Sequence, residues 1–423
     1  MIRIIEEKDL DLTELTAPRG CSADVAVVVS QILQDVKANG DAALTALTER
    51  FDHVHLDRFD VTVQEMEDGL RTVEPGFFEI LKEAAENISS YHAKQIRNNY
   101  VISKKEGIIL GKVFRPIQKV GMYVPNGTAA YPSTVLMDLI PAKLAGCEEI
   151  VMVSPPDKEG KIDPYILAAA RICGIEKIYK VGGAQAIGAL AYGTETIPAV
   201  YKIIGPGNAY VAEAKKQIHG IASTDTVAGP SEVLVIADDK NSAAVIAADM
   251  LAQAEHDVDA SAMMITDSLQ FARKVSAEIE IQLSTLPRRD IAAKSIEKNG
   301  KIIVVESVDD AFRIANTVAP EHLEISLDDP MQYLPLVRNA GSVFLGRFSP
   351  EPLGDYMAGP NHTLPTGGSA RFSSALSVDD FMTASQFTCY SEQALGSIAD
   401  KIVQFARIEG LEGHARSILS RFQ

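Results

Sequence analysis

"KVGMYVPNGTAAYPSTVLMDLIPAKLAGCEEIVMVSPP", residues 119–156, decides the reading of the fold. "KVGMYVP" is a short apolar run of strand length, "STVLMDLIPAKLAGC" has the length of a helix, and "EEIVMVSPP" reads as the next strand. Pro141 falls inside the helical stretch, where its missing N–H predicts a kink or a break. The alternation continues with helix "PYILAAARICG", strand "EKIYKVGG", helix "AQAIGALAYG" and strand "YKIIGPG". A second series opens at "EVLVIADD", runs through an alanine-rich helix over 241–256 and the strand "SAMMITDS", and resumes with "KIIVVES", "VDDAFRIANTVAP" and "GSVFLG". Strands and helices at this spacing predict parallel sheets covered on both faces. The expected fold class is α/β, with two Rossmann-like units of similar layout and no close sequence repeat between them.

Outside these series the texture is helical. "SADVAVVVSQILQDVKANGDAALTALTERFD" starts at a Ser22 cap and has apolar spacings of three and four. "PGFFEILKEAAENISSYHAKQIRN" follows, with Pro75 near its start, and no strand is expected before "GIILGKVFRPI". After "PTGGSARFSSALSV" the chain reads as helical again, a tail that packs on its own domain or reaches a partner subunit.

With 423 residues the chain exceeds one core, and its 46% hydrophobic and 23% charged content is that of a soluble globular protein. Forty basic residues against 57 acidic ones, a net charge of −17, disfavour nucleic acid as a partner, because phosphate backbones are held by Lys and Arg. The charged start "MIRIIEEKDLDLTEL" is no secretory signal, and no apolar run is long enough for a bilayer, so no membrane partner is expected. Cys21, Cys147, Cys173 and Cys389 lie far apart and form no CxxC pair, which suits reduced thiols in a cytoplasmic protein.

Four of the eight histidines sit in dense patterns. Gln253 and His256, in "AQAEHDVDA" (252–260), fall three apart at a helix end and share a face. They are either two heads aimed at one ligand or a helix terminus capped by an imidazole. Glu321 and His322, in "APEHLEI" (319–325), set a carboxylate beside an imidazole, which suits proton transfer. Adjacent residues reach one site only from a loop or an element end, and a solvated pair is the plainer account. Asp355 and His362, in "LGDYMAGPNHTLPTGG" (353–368), flank a turn built on Gly359 and Pro360 that can fold them onto one point. Glu409 and His414 flank two glycines of the tail. His53, His55, His92 and His219 read as ordinary surface residues. Together the patterns supply an amide, a carboxylate and histidines for a borderline divalent cation such as zinc, with acids left over. No G-x-G-x-x-G is present, but "VGGAQAIG" (181–188) and "IGPGNAY" (204–210) place glycines between strand and helix, where backbone N–H groups can hold a diphosphate.

These segments, in this order, resemble the histidinol dehydrogenase family. The matching stretches are "VGMYVPNGTAAYPSTVLM", "GGAQAIGALAYGT", "GPGNAYVAEAKKQ", "AGPSEVLVIAD", "QAEHD", "APEHLEI", "LGDYMAGPNHTLPTGGSARFSSALSVDDF" and "EGLEGHARS", from about Arg115 to the C-terminus. The resemblance implies NAD-dependent, four-electron oxidation of L-histidinol to L-histidine through the aldehyde, the last step of histidine biosynthesis, with one zinc per subunit. It implies Gln253, His256, Asp355 and His414 as metal ligands, so that Asp355 pairs with His414 rather than with His362 alone. It further implies Glu321 and His322 as the acid–base pair, and Tyr123, Gln185 and Asn208 as lining the NAD site. Ser231, Glu409 and His362 match substrate-contact or nearby positions, where Gln253, His256, His322, Asp355 and His414 also contribute. The implied division is an N-terminal helical arm (1–22), a first Rossmann-like domain (23–115 with 231–375) carrying the metal and catalytic residues, a second, NAD-side domain (116–230), and a C-terminal helical arm (376–423). That arm is expected to exchange across a homodimer. The sequence departs from the family at Asn126, where Gly is expected, in "GIASTDTVAGPS" before Ser231, and at Glu412 and Gly413, where Thr and Ala are commoner. Three other functions fit parts of the pattern: a zinc- and NAD-dependent dehydrogenase of another polar alcohol, such as a sulfonated diol; a two-lobed small-ligand or metal-binding protein; and a zinc hydrolase with Glu321 as base.

Overall fold

The structure, a computed structural model, describes residues 2–16, 23–126, 130–225 and 229–423, so that Cys21 and the Ser22 cap lie outside it, as does part of the stretch before Ser231. In chain order its strands are β1 (Arg3–Glu6), β2 (Tyr100–Lys105), β3 (Ile108–Pro116), β4 (Lys119–Tyr123), β5 (Glu149–Ser154), β6 (Lys177–Lys180), β7 (Lys202–Ile204), β8 (Ser223–Thr224), β9 (Glu232–Ala237), β10 (Ser261–Thr266), β11 (Lys301–Val304), β12 (His322–Ser326), β13 (Ser342–Leu345) and β14 (Met382–Tyr390). One parallel sheet has the order β6-β5-β4-β7-β8 and the other β1-β11-β10-β9-β12-β13. Apart from β1 the two share one winding. The first strand of each series is central, the next two are added on one side and the last two on the other. This is the doubly wound order of right-handed β–α–β crossovers. The fold is α/β, with two Rossmann-like sheets and helical extensions.

Period-2 alternation divides each central strand between two cores. Val120 and Met122 of β4 pack into a cluster with Leu136 and Leu139 of the helix Pro132–Ala145, while Val151 and Val153 of β5 face Ile187 and Leu190 of the helix Gly183–Tyr192. In the other sheet Val233 and Val235 face Ile246 and Met250 of the helix Ala243–Ala254, and Leu234 and Ile236 face Ile314 and Ala315 of the helix Val308–Val318.

The chain forms two compact units. Met1–Gln95 with Ile117–Phe381 holds both parallel sheets; Ile96–Pro116 with Met382–Gln423 holds the antiparallel sheet β14-β3-β2 and the helices Glu392–Gly396, Ala399–Ile408 and Glu412–Leu419. Among the described residues no helix is long and apolar enough to cross a membrane.

Several expectations need correction. Residues 1–22 are not wholly a helical arm, because β1 adds in parallel to the edge at β11, pairing Arg3 with Lys301 through Glu6 with Val304. Helices of the stretch 23–95 share one compact unit with 117–381 and also pack on the sheet of β4 and β7. Val29, Leu33, Val36 and Leu44 of the helix Ala23–Phe51 bury against Ile187 and Leu190, and Leu81 and Ile88 join the core around β4. That helix is broken at Gly40, whose φ of 50° is outside helical space. Residues 96–116 join the second unit as β2 and β3, so strand begins before "GIILGKVFRPI". The 376–423 arm is not all helix, since β14 pairs with β3 over nine residues, and Leu376 and Phe381 belong to a core of the first unit. The helices Leu269–Leu283 and Arg289–Asn299 were not foreseen. The strand pairings of β1, β2, β3 and β14 depend on a partner strand that a local period does not identify.

Candidate active site

The candidate pair Glu321 and His322 is placed by a strand start. Ala319, in a left-handed turn with φ of 53°, and Pro320 end the preceding helix segment, so Glu321 and His322 enter β12 from a bend. Neighbours that would diverge within a strand are both held by one residue of β9. The backbone N–H of Glu232 donates to Glu321 Oε2 at 2.8 Å, and His322 Nδ1 lies 2.9 Å from the Glu232 carbonyl oxygen. A carbonyl only accepts, so Nδ1 carries the proton and Nε2 keeps the lone pair. That Nε2 is buried without a hydrogen-bond partner and stands 3.8 Å from Glu351 Oε1. Burial drives His322 down to about 4, against the pull of Asp355, so the ring is a neutral base at pH 7. Burial holds Glu321 well above the ordinary carboxylate range, opposed by the Glu232 N–H and by a hydrogen bond with Ser231.

Asp355 lies on the short helix Glu351–Tyr356 and faces His362 across the Gly359–Pro360 turn, with His362 Nδ1 3.4 Å from Asp355 Oδ1. Burial pushes Asp355 up, but the hydrogen bond and charge of His362, with the charges of His322 and His256, outweigh it and leave the group lowered to about 2. Burial works against His362, yet the bond to Asp355 holds it raised. Pro141 explains how this loop is anchored. The helix Pro132–Ala145 runs through Pro141, contrary to the expected break, and the proline leaves the Met137 carbonyl without its helical N–H. The Asn361 side-chain amide donates to that carbonyl instead. Thr363 donates to Asp138 at 2.6 Å, and Thr134 lies 3.2 Å from His362 Nε2. Thr134 and Asp138 are one helical turn apart, so one helix face seats His362.

Gln253 closes the helix Ala243–Ala254, and His256 follows in a turn beyond it, its N–H donating to the Gln253 carbonyl at 3.2 Å. The helix thus ends two residues earlier than expected. Gln253 is 1% exposed, and neither its amide oxygen nor its amide nitrogen has a hydrogen-bond partner. A buried amide left so costs about 1–3 kcal/mol. A cation bound by the oxygen is one compensation, and His256 and Asp355, which line one cavity, would add an imidazole and a carboxylate of the kinds that suit zinc. His322, Glu351 and Asp355 also bring ligand atoms within 4.8 Å of one another. A cavity of about 410 Å³ opens beside His256 and Asp355, with Leu81, Ile88 and Met137 on its apolar wall and Tyr131 and Ser133 among its polar ones.

Tyr123, Gln185 and Asn208 gather at the carboxyl ends of β4 and β7, the switch point of their sheet. Gly183 N–H donates to the Tyr123 hydroxyl at 3.2 Å, and Gln185 is buried in the first turn of the same helix. Asn208 caps the helix Ala209–Gln217, accepting from Tyr210 and Val211 N–H. Glu409 and His414 are exposed residues of the second unit, at the end of Ala399–Ile408 and in Glu412–Leu419.

Sequence reasoning missed Glu351, although its four-residue spacing from Asp355 was a legible signal. It also missed Glu324, which accepts the Glu351 N–H at 2.6 Å. Burial and the Asp249 charge raise Glu324 to about 8. The folded state therefore keeps a proton that the unfolded chain releases above the ordinary glutamate range. This stabilisation is full in acid and is lost as pH rises towards 8. Glu324→Gln keeps the acceptor and cannot ionise. Its stability relative to the parent should therefore grow from pH 5 to pH 8 by at least about 1 kcal/mol, read from urea midpoints at the two pH values. An equal difference at both would contradict it.

The family model described as histidinol dehydrogenase matches residues 16–422. The chain is 54% identical to a histidinol dehydrogenase of Bacillus cereus over 93% of this chain and 92% of that one. It is 51% identical to that of Clostridium acetobutylicum over 100% and 99%. A crystal structure of histidinol dehydrogenase from Elizabethkingia anophelis superimposes with a TM-score of 0.94 at 38% identity, covering 100% of this chain and 98% of that one.

Proposed function

The chain belongs to the histidinol dehydrogenase family, and from that premise we propose that it oxidises L-histidinol to L-histidine through the aldehyde with two NAD in succession. The observation that carries this reading is the double hold by the backbone of Glu232, which sets a buried carboxyl and a neutral imidazole side by side with Nε2 left over.

Gln253, His256 and Asp355, with the partner subunit's His414, would hold zinc. Zinc held there would supply a Lewis-acid anchor for the nitrogen-rich substrate, and NAD would supply the hydride acceptor for both oxidations. His322 Nε2 takes the proton of the substrate hydroxyl; the Glu232 carbonyl keeps the ring from turning and fixes its tautomer. Glu321 takes the proton of the water that adds to the aldehyde carbon, and its raised affinity for a proton makes its ionised form a stronger base. Ser231 steadies that carboxyl. His362, seated by Thr134 and Asp355, orients the polar substrate. Glu409 of the partner subunit contributes to substrate contact through the exchanged C-terminal arm of a homodimer.

The test is the stoichiometry of nicotinamide reduction. Purified protein with limiting L-histidinol should form two NADH per substrate molecule, and Glu321→Gln should slow the second oxidation by on the order of 10²–10⁴-fold and release or accumulate aldehyde. No NADH from histidinol, with turnover of a sulfonated diol in its place, would overturn the substrate assignment.

A further inference from the structure

The turn between β7 and the helix Ala209–Gln217 is held from behind by a buried ion pair. Lys215 Nζ and Asp225 Oδ1 are 2.6 Å apart, and both side chains are 4% exposed. Each grips the same residue: Asp225 Oδ2 accepts the Gly205 N–H at 2.8 Å, and Lys215 Nζ donates to the Gly205 carbonyl. Gly205 has φ of 106°, and a Cβ there would stand 2.0 Å from the Tyr123 carbonyl oxygen. The turn is therefore pressed against the end of β4 in a conformation that only glycine adopts readily.

A buried ion pair is a poor device for stability alone, because desolvation offsets its attraction and an apolar pair of like volume often does as well. What an apolar pair lacks is the means to hold both polar groups of one residue in a strained turn. Pro206, Gly207 and Asn208 follow directly, and Asn208 caps the helix Ala209–Gln217, accepting from Tyr210 and Val211 N–H. The pair thus determines where the turn and helix start stand relative to Tyr123.

We propose that Lys215 and Asp225 are positioning residues for the cofactor, clamping Gly205 so that the 205–208 turn receives the diphosphate of a dinucleotide; this rests on the NAD reading above. They touch no reacting atom and act through the turn.

Removing one partner alone would leave a buried charge and destabilise the fold. The decisive variant is therefore the double replacement Lys215→Met with Asp225→Leu, which removes the clamp without stranding a charge. It should melt within a few degrees of the parent and bind metal equally. Its KM for NAD and its Kd for NAD by calorimetry should rise on the order of 10- to 100-fold, with the KM for histidinol unchanged. A folded double variant that binds NAD as the parent does overturns the clamp. A parent chain that binds no NAD overturns the functional reading and the clamp with it.

Discussion

His322→Asn should lower kcat for alcohol oxidation by on the order of 10²–10⁴-fold, while the variant remains folded with the metal content of the parent. The argument rests on which nitrogen does what. Nδ1 is committed to the Glu232 carbonyl, and an asparagine amide can supply that donor from nearly the same place. Asparagine has no counterpart to the lone pair on Nε2, which is buried without a hydrogen-bond partner. The substitution therefore spares the scaffold and removes the base. The unperturbed ring is already neutral well below pH 7, because burial lowers it to about 4. The group's protonation should not limit the parent between pH 6 and pH 8. Rapid-mixing measurement of the first NADH equivalent, with metal content determined on the same sample, checks the prediction. A variant with a near-parental first step would remove His322 from the chemistry.

Gln253→Leu should separate stability from function in opposite directions. In the metal-free chain the Gln253 amide is buried with two unsatisfied polar atoms, so an apolar side chain of similar volume should stabilise that form by roughly 1–3 kcal/mol. The same change removes an oxygen from the proposed cation site, and metal affinity should fall at least 10–100-fold, with activity at limiting zinc falling alongside. Thermal melts of the stripped protein and a zinc titration against a competing chelator read the two effects. A destabilised stripped variant with parental zinc affinity would mean that the amide serves packing alone.

Neither effect was readable from Gln253 in isolation. Three-residue spacing to His256 was visible, but an amide at a helix end is equally a terminal cap. Burial without a partner is a property of the packed molecule. The same holds for Asp355 and His362. The Gly359–Pro360 turn was legible, whereas the seat on Thr134 and the Asn361 bond to the carbonyl freed by Pro141 come from a helix more than 200 residues earlier.

From the sequence alone came the α/β class, the two strand–helix series and the motif residues, because hydrophobic period and turn chemistry are local and survive in the order of the letters. Tertiary structure decided the rest. It put the helix Ala23–Phe51 against the sheet of β4 and β7, gave β1 to the edge at β11, and turned Met382–Tyr390 into a strand opposite β3. It also gave one residue, Glu232, the hold on both Glu321 and His322, and one ion pair the hold on Gly205. Backbone donors and acceptors are the same at every non-proline residue, so nothing in the letters says which distant group each will meet; only the packed chain settles it.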